Sequence, residues 1–251
     1  MLKNSEGQKV PAVIFPMRQG DEWVNITSDD IFAGKTVIVF SLPGAFTPTC
    51  SSSHVPRFNE LAPVFKKHGV DDIVCISVND TFVMNEWKKH QKAEDITFIP
   101  DGNTDFTAAM GMLVDKRHKG YGMRSWRYSM LVKDGVIEKM FIEREGEGDP
   151  FEVSDADTML EYIDFDAEIP ADIMMFSKPG CEYCNKAKEL LKENDMPFEE
   201  VTAGVEIGER ALRAATGVAT YPQIFRNGVR IGGLDDLQKW LESGAGESAV
   251  G

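Results

Sequence analysis

Cationic side chains are in deficit in this chain of 251 residues: 27 lysines and arginines stand against 41 aspartates and glutamates, a formal charge of −14. A surface that tracks phosphates needs clustered cations, so nucleic acid is not an expected partner. Long apolar runs are lacking as well. None is long enough to span a bilayer, and residues 1–9 contain no hydrophobic segment of a secretory leader. The expected location is the cytoplasm, away from membranes. Cysteine is scarce, with four residues. That number does not make a disulfide scaffold in a chain of this length, and thiols kept reduced and used chemically fit better.

What is present reads as α/β. Apolar residues make up 42% of the chain, enough to bury one large core or two moderate ones. Residues 36–42 (Thr-Val-Ile-Val-Phe-Ser-Leu) are nearly all apolar, the pattern of a strand covered on both faces. Residues 50–67 have helical spacing, with Phe58, Leu61, Ala62 and Phe65 on one side. A second buried strand is expected at 72–78, a helix at 83–93, and a short strand at 96–99 stopped by Pro100. Residues 127–132 and 136–141 flank Asp134-Gly135, a strong hairpin signal. The acidic, proline-containing stretch 164–172 breaks the pattern. A fresh α/β series follows: strand 173–177, helix 181–194, strand 198–202, helix 206–215, a hairpin around Asn227-Gly228 and a last helix at 234–241. The expected organisation is a domain over 1–165, a linker over 166–171 and a smaller domain over 172–251, with a frayed tail from Ser243.

The cysteines fall into different contexts. Cys50 closes the turn Pro43-Gly44-Ala45-Phe46-Thr47-Pro48-Thr49-Cys50 and opens a helix, with Pro48 suited to the first turn. Free N–H groups and the helix dipole there favour a thiolate; a guanidinium nearby would favour it further, and Arg127 on the expected hairpin is the candidate. A loop flanked by proline and glycine is a poor place to hide a structural thiol, so Cys50 is expected to be reachable. Cys75 lies mid-strand among apolar residues and is expected to be core. His54, four residues after Cys50, lies on the same side of the helix. Either a role in tuning the site or simple packing suits it.

These residues resemble the peroxide-reacting motif of peroxiredoxins, the atypical fifth class in particular. Ser77-Val78-Asn79-Asp80, Trp87, Pro100-Asp101-Gly102 and Arg127-Tyr128-Ser129 match that class in order. The resemblance implies that Cys50 is the peroxide-attacking nucleophile. Thr47 would hydrogen-bond peroxide and thiolate, Pro43 would shield the cysteine, and Arg127 would hold the thiolate and polarise the O–O bond. Some relatives carry a resolving cysteine after the hairpin. Here residues 145–153 contain none, so the oxidised Cys50 needs an outside thiol.

Cys181 and Cys184 form a C-x-x-C between a strand and a helix. The motif also suits zinc, but zinc wants four ligands. All four histidines precede the break, and no third cysteine follows it. A redox pair is the better reading. Lys178-Pro179-Gly180-Cys181-Glu182-Tyr183-Cys184, then Thr220-Tyr221-Pro222, then Gly232-Gly233-Leu234-Asp235-Asp236 together resemble glutaredoxin. The resemblance implies Cys181 as nucleophile and a cis peptide at Pro222. It implies a glutathione site made by Lys178, Tyr183, Tyr221, Pro222, Gly233, Leu234 and Asp235. Glu182 replaces the proline common in this motif.

The whole chain is similar to the hybrid peroxiredoxin–glutaredoxin proteins of bacteria. That likeness implies two thioredoxin-fold domains, the larger first, and a glutathione-dependent peroxidase. It would reduce hydrogen peroxide and alkyl hydroperoxides, with no bound cofactor and no metal. Glutathione, regenerated by glutathione reductase, would be the reducing co-substrate. A homo-oligomer, dimer or tetramer, is expected. A general disulfide reductase and a non-enzymatic peroxide sensor or holdase are the competing readings.

Overall fold

The computed structural model describes residues 2–146, 148–169, 171–194 and 196–244. Pro170, within the expected linker, and the tail beyond Gly244 lie outside the described residues. The chain divides into two compact units, Met1–Ala167 and Glu168–Gly251.

The first unit begins with a hairpin, β1 (Ile14–Gln19) and β2 (Glu22–Thr27), and a short helix α1 (Ser28–Phe32). Then come β3 (Thr36–Leu42), a π-helical turn (Cys50–His54) running into α2 (Val55–Lys67), β4 (Asp72–Ser77), α3 (Thr81–Gln91) and β5 (Thr97–Pro100). Helix α4 (Asp105–Ala109) and the strands β6 (Leu113–Asp115) and β7 (Met123–Ser125) precede the hairpin β8 (Tyr128–Lys133) and β9 (Val136–Ile142), and α5 (Ala156–Ile163) follows. The main sheet has the order β5-β4-β3-β8-β9. Strands β3, β4 and β5 run parallel, and β8 and β9 are antiparallel to their neighbours.

Strand β3 is central because it is apolar on both faces. Ile38, Phe40 and Leu42 enter one core cluster with Phe58, Leu61, Ala62 and Phe65 of α2. Val37 and Val39 enter the other, with Phe15, Phe32 and Phe106. The alternation is the period-two geometry of a strand. The hairpin β1–β2 and the short β6–β7 pair were not visible in the sequence. Pro16 and the polar run Glu22–Thr27 do not read as buried strand, because this hairpin is a separate two-stranded sheet with a largely exposed second strand.

The second unit contains β10 (Ile173–Ser177), α6 (Glu182–Glu193), β11 (Glu199–Thr202), α7 (Glu209–Thr216), the hairpin β12 (Gln223–Arg226) and β13 (Val229–Gly232), and α8 (Leu234–Glu242). The sheet order is β11-β10-β12-β13, with β10 and β11 parallel and the hairpin antiparallel. Helix α7 starts at Glu209 rather than at 206, because the chain first turns back through a bridge between Ala203 and Ile207.

Both units share one plan. A central strand crosses through a helix to a parallel neighbour on one side and pairs with an antiparallel hairpin on the other. This is the thioredoxin fold, used twice. The plan places Cys50 after β3 and Cys181 after β10, each at the start of the crossover helix.

Candidate active sites

Cys50 begins the π-helical turn that leads into α2, and the helical conformation already starts at Pro48. Contrary to the expectation of a reachable thiol, Cys50 is fully buried within the larger core cluster. The turn folds back over the end of β3, and its helical continuation is pulled onto the sheet by Val55 and Phe58. Asn79 ties the turn down: its Oδ1 accepts from the Ala45 N–H at 3.0 Å and from the Ser77 hydroxyl at 2.8 Å. Pro43 is buried in the turn. Thr47 Oγ1 donates to the Gly44 carbonyl at 2.8 Å, so its proton is directed there and not toward the sulfur.

Arg127 precedes β8 and is 1% exposed. Its Nη1 donates to Cys50 Sγ at 3.5 Å and to His54 Nδ1 at 3.1 Å. Nη2 donates to both oxygens of Asp149, at 2.6 and 2.5 Å. The Phe151 ring lies 5.4 Å from the guanidinium carbon. Nε is buried without a partner among the described residues. Burial opposes the cation, but the Cys50 sulfur and the Asp149 carboxylate outweigh it and hold the Arg127 pKa above its ordinary value.

His54 is not a surface residue. It is fully buried, with its ring against Phe40, Phe58 and Phe151. A guanidinium only donates, so Nδ1 accepts from Arg127 and the ring proton sits on Nε2, donating to the Ser154 carbonyl at 3.0 Å. Burial, and then the nearby Arg127 charge, lower its pKa to about 3 against the pull of the Ser154 carbonyl. His54 is thus a neutral imidazole that fixes one edge of the guanidinium.

Sequence reasoning did not single out Asp149. It sits in an acidic, glycine-rich stretch that reads as solvated loop, and only the fold brings it to Arg127. Nor did net charge reveal a local basic run, Lys116-Arg117-His118-Lys119, in this acidic chain. Lys116 is buried to 9% exposure with its Nζ 4.5 Å from the Trp126 ring. Cys75 is buried in β4 between Phe40 and Phe98 on the adjoining strands, and burial raises its pKa well above that of a free thiol. Trp87 is core, its Nε1 donating to Ser51 Oγ at 3.0 Å.

In the second unit Cys181 caps the N-terminus of α6 and is joined to Cys184 as a disulfide. The Cys184 N–H points at Cys181 Sγ at 3.1 Å. The Tyr221–Pro222 peptide is cis. Lys178 Nζ stands 5.5 Å from the Tyr221 ring centre, and Gly233 packs beside the Pro222 carbonyl. Tyr183 is 62% exposed. Gly232 is required where it stands: its φ is 135°, and a Cβ there would clash with Asp236 Oδ2. Asp236 comes so close because it accepts from the Gly233 N–H at 2.9 Å, capping α8. Asp235 is exposed at that helix start, while the Leu234 side chain packs against the core of its own unit.

The fold and the two thiol sites define an oxidoreductase of the thioredoxin fold. Residues 5–160 match the Redoxin family and residues 173–231 the Glutaredoxin family. The chain belongs to the hybrid peroxiredoxins, peroxide-reducing antioxidant proteins with a glutaredoxin domain fused at the C-terminal end. It is 60% identical over 240 residues to hybrid peroxiredoxin hyPrx5 of Haemophilus influenzae, covering 96% of this chain and 100% of that one. Peroxiredoxin sll1621 of Synechocystis is 56% identical over 169 residues, 62% of this chain and 89% of that protein. Among solved structures, reduced Prx3 of Vibrio vulnificus in complex with H2O2 superposes with a TM-score of 0.61 at 39% identity, over 64% of this chain and 100% of that one. The 1-Cys peroxiredoxin of Plasmodium falciparum gives the same TM-score at 34% identity, over 64% of this chain and 99% of its own. Among the described residues no helix is long and apolar enough to cross a membrane.

Proposed function

We propose that the chain is a glutathione-dependent peroxidase for hydrogen peroxide and alkyl hydroperoxides, working in the cytoplasm as a homo-oligomer. The observation that carries this reading is Arg127 beside Cys50. One nitrogen reaches the sulfur, while the buried Nε has no partner among the described residues and can donate to a peroxide oxygen. Charge grows on the leaving oxygen as the O–O bond breaks, and a fixed donor in a buried site stabilises it strongly.

The Cys50 thiolate attacks one peroxide oxygen. The S–O bond forms, the O–O bond breaks, and the leaving oxygen takes up a proton as water or alcohol. Glutathione then condenses with the sulfenic acid, releasing water and forming a mixed disulfide. A tripeptide does not reach a fully buried sulfur, so this step requires the turn at 48–54 to open. Pro43 shields the sulfur until then, and Thr47 offers its hydroxyl oxygen at the mouth of the turn. Cys181 attacks the glutathione sulfur, freeing Cys50, and a second glutathione returns Cys181 to the thiol with release of glutathione disulfide. In the second unit Lys178 and Tyr221 meet the tripeptide, with Tyr183, Pro222, Gly233, Leu234 and Asp235 around it. The Lys178–Tyr221 stack and the closeness of Pro222 to Gly233 support that grouping.

A second route is favoured by the Cys181–Cys184 disulfide, in which Cys184 displaces glutathione from Cys181 and the pair is reduced afterwards. The deciding experiment follows NADPH consumption with glutathione reductase, glutathione and peroxide. Turnover with glutathione as the only thiol supports the reading. No turnover with glutathione, but turnover with thioredoxin, rejects it.

A further inference from the structure

Glu143 follows β9 and is 1% exposed, an anion sealed inside the first unit. Among the described residues, all hydrogen-bond partners of its carboxylate are neutral and belong to one segment. Oε1 accepts from the backbone N–H groups of Glu152, Val153 and Ser154 at 2.8, 2.9 and 2.9 Å, and from the Ser154 hydroxyl at 2.8 Å. Three consecutive N–H groups on one oxygen form an anion nest closed by a side chain of the same chain. Burial opposes the charge, yet these donors outweigh it and keep the carboxyl below its ordinary pKa. Oε2 is buried without a partner among the described residues.

The segment so gathered makes three contacts around Cys50. At one end Asp149 takes both hydrogens of Arg127 Nη2. In the middle Phe151 packs against the guanidinium and, 4.9 Å between ring centres, against His54. At the far end the Ser154 carbonyl accepts from His54 Nε2, leaving Nδ1 to accept from Arg127. Glu143 also holds Arg127 by the main chain, its N–H donating to the Arg127 carbonyl at 3.2 Å.

We propose that Glu143 is a positioning residue for peroxide reduction: its carboxylate moulds residues 149–154 into the clamp that holds the Arg127 guanidinium against Cys50. A guanidinium on a long side chain is a useful donor only when its direction is set beforehand, and here the setting comes from a group that touches neither sulfur nor peroxide. The proposal rests on Arg127 being the group that activates Cys50.

The test uses the full chain carrying Cys181→Ser and Cys184→Ser, so that Cys50 and the buried Cys75 are the remaining thiols. The rate of Cys50 oxidation by hydrogen peroxide and the pH profile of its alkylation by iodoacetamide are measured. Glu143→Ala slows oxidation by about 100-fold and moves the alkylation profile to higher pH. Glu143→Gln, whose carbonyl accepts the same N–H groups, retains most of the rate. Asp149, His54, Cys75 and Lys116, whose charge faces Arg127 and Asp149, are unchanged in these variants, and loss of the Glu143 anion alone would move the profile to lower pH, so a move to higher pH reports the placement of Arg127. A folded Glu143→Ala protein with the parent rate, or with a slower rate but the parent profile, overturns the proposal. If Glu143→Ala does not fold, Asp149→Ala reads the same clamp at its other end, and the parent rate there overturns it as well. Arg127→Ala measured alongside separates the two readings. If it alone is slow, the Glu143 proposal fails; if it oxidises at the parent rate, the assignment of Arg127 fails.

Discussion

Nη1 of Arg127 stands 3.5 Å from the sulfur of Cys50 and donates a hydrogen bond to it, although 77 residues separate the two in the chain. The same nitrogen donates to the neutral ring of His54, and the other terminal nitrogen is taken up by Asp149. The guanidinium is therefore held from two sides, while its Nε has no partner among the described residues. That arrangement leads to expectations for each group.

Arg127→Lys keeps the charge but loses the fork that serves sulfur, imidazole and carboxylate together. Its ammonium cannot span those partners. Oxidation of Cys50 by peroxide slows by about 100- to 1,000-fold, the usual effect of removing a fixed donor to developing negative charge. Stopped-flow tryptophan fluorescence checks this. A rate within a few-fold of wild type means that charge alone suffices.

The thiols separate the two chemistries. Cys50→Ser abolishes peroxidase activity and leaves glutathione-dependent disulfide reduction by the second unit. Cys181→Ser abolishes that disulfide reduction and glutathione-dependent peroxide turnover but leaves the first oxidation of Cys50 by peroxide at the parent rate, while Cys184→Ser and Cys75→Ser are mild. Coupled assays with peroxide and with a small mixed disulfide read these directly. Loss of both activities in a folded Cys50→Ser protein would count against separable sites.

His54 makes the first unit sensitive to mild acid. Its pKa is depressed to about 3 by burial and by Arg127, against about 6.5 in an unfolded chain. The unfolded state therefore binds the proton first. The stability that comes from keeping His54 neutral is complete above pH 6.5 and is lost as pH falls towards 3. Between pH 6.5 and 5 the loss is about 2 kcal/mol. Urea titrations show a falling midpoint over this range in wild type and a flatter one in His54→Asn. Equal slopes would mean that His54 does not report on pH.

In a homo-oligomer Cys181 of one subunit is expected to act on Cys50 of a neighbour, and mixing Cys50→Ser with Cys181→Ser chains tests this. Recovery of glutathione-dependent peroxidase activity in co-purified oligomers, beyond that of freely diffusing separate units, is expected if neighbouring subunits present their thiols to one another. Tethering within an oligomer raises the effective concentration of one thiol at the other to about the millimolar range. A monomeric and fully active wild type would end this reading.

Much of this protein is legible without coordinates. The buried strands are visible as unbroken apolar runs, because a strand covered on both faces has no polar side to show. The inner face of α2 follows from Phe58, Leu61, Ala62 and Phe65 at helical spacing, and the hairpin β8–β9 follows from Asp134-Gly135. The placement of Cys50 and Cys181 at helix starts is legible because helix starts need particular local residues, and those lie next to each cysteine in the chain. What depends on long-range closure is not legible. The sequence places Cys50 in an open turn, yet packing of α2 onto β3 buries it completely. His54 looks like one residue on a helix face until Phe40, Phe58 and Phe151 close around it.

Local residue types thus determined the elements and the identity of both thiol motifs. Only the tertiary structure decided what surrounds them. It brought Asp149 to Arg127 and the N–H groups of residues 152–154 to Glu143, because a buried cation and a buried carboxylate must each find partners wherever the fold leads, and no spacing rule along the chain encodes that search. It also set Cys50 and Cys181 at equivalent places in two copies of one fold. Two sequences without an exact internal repeat can share that plan because the thioredoxin arrangement is set by how a strand, a crossover helix and a hairpin pack, and many different side chains satisfy it.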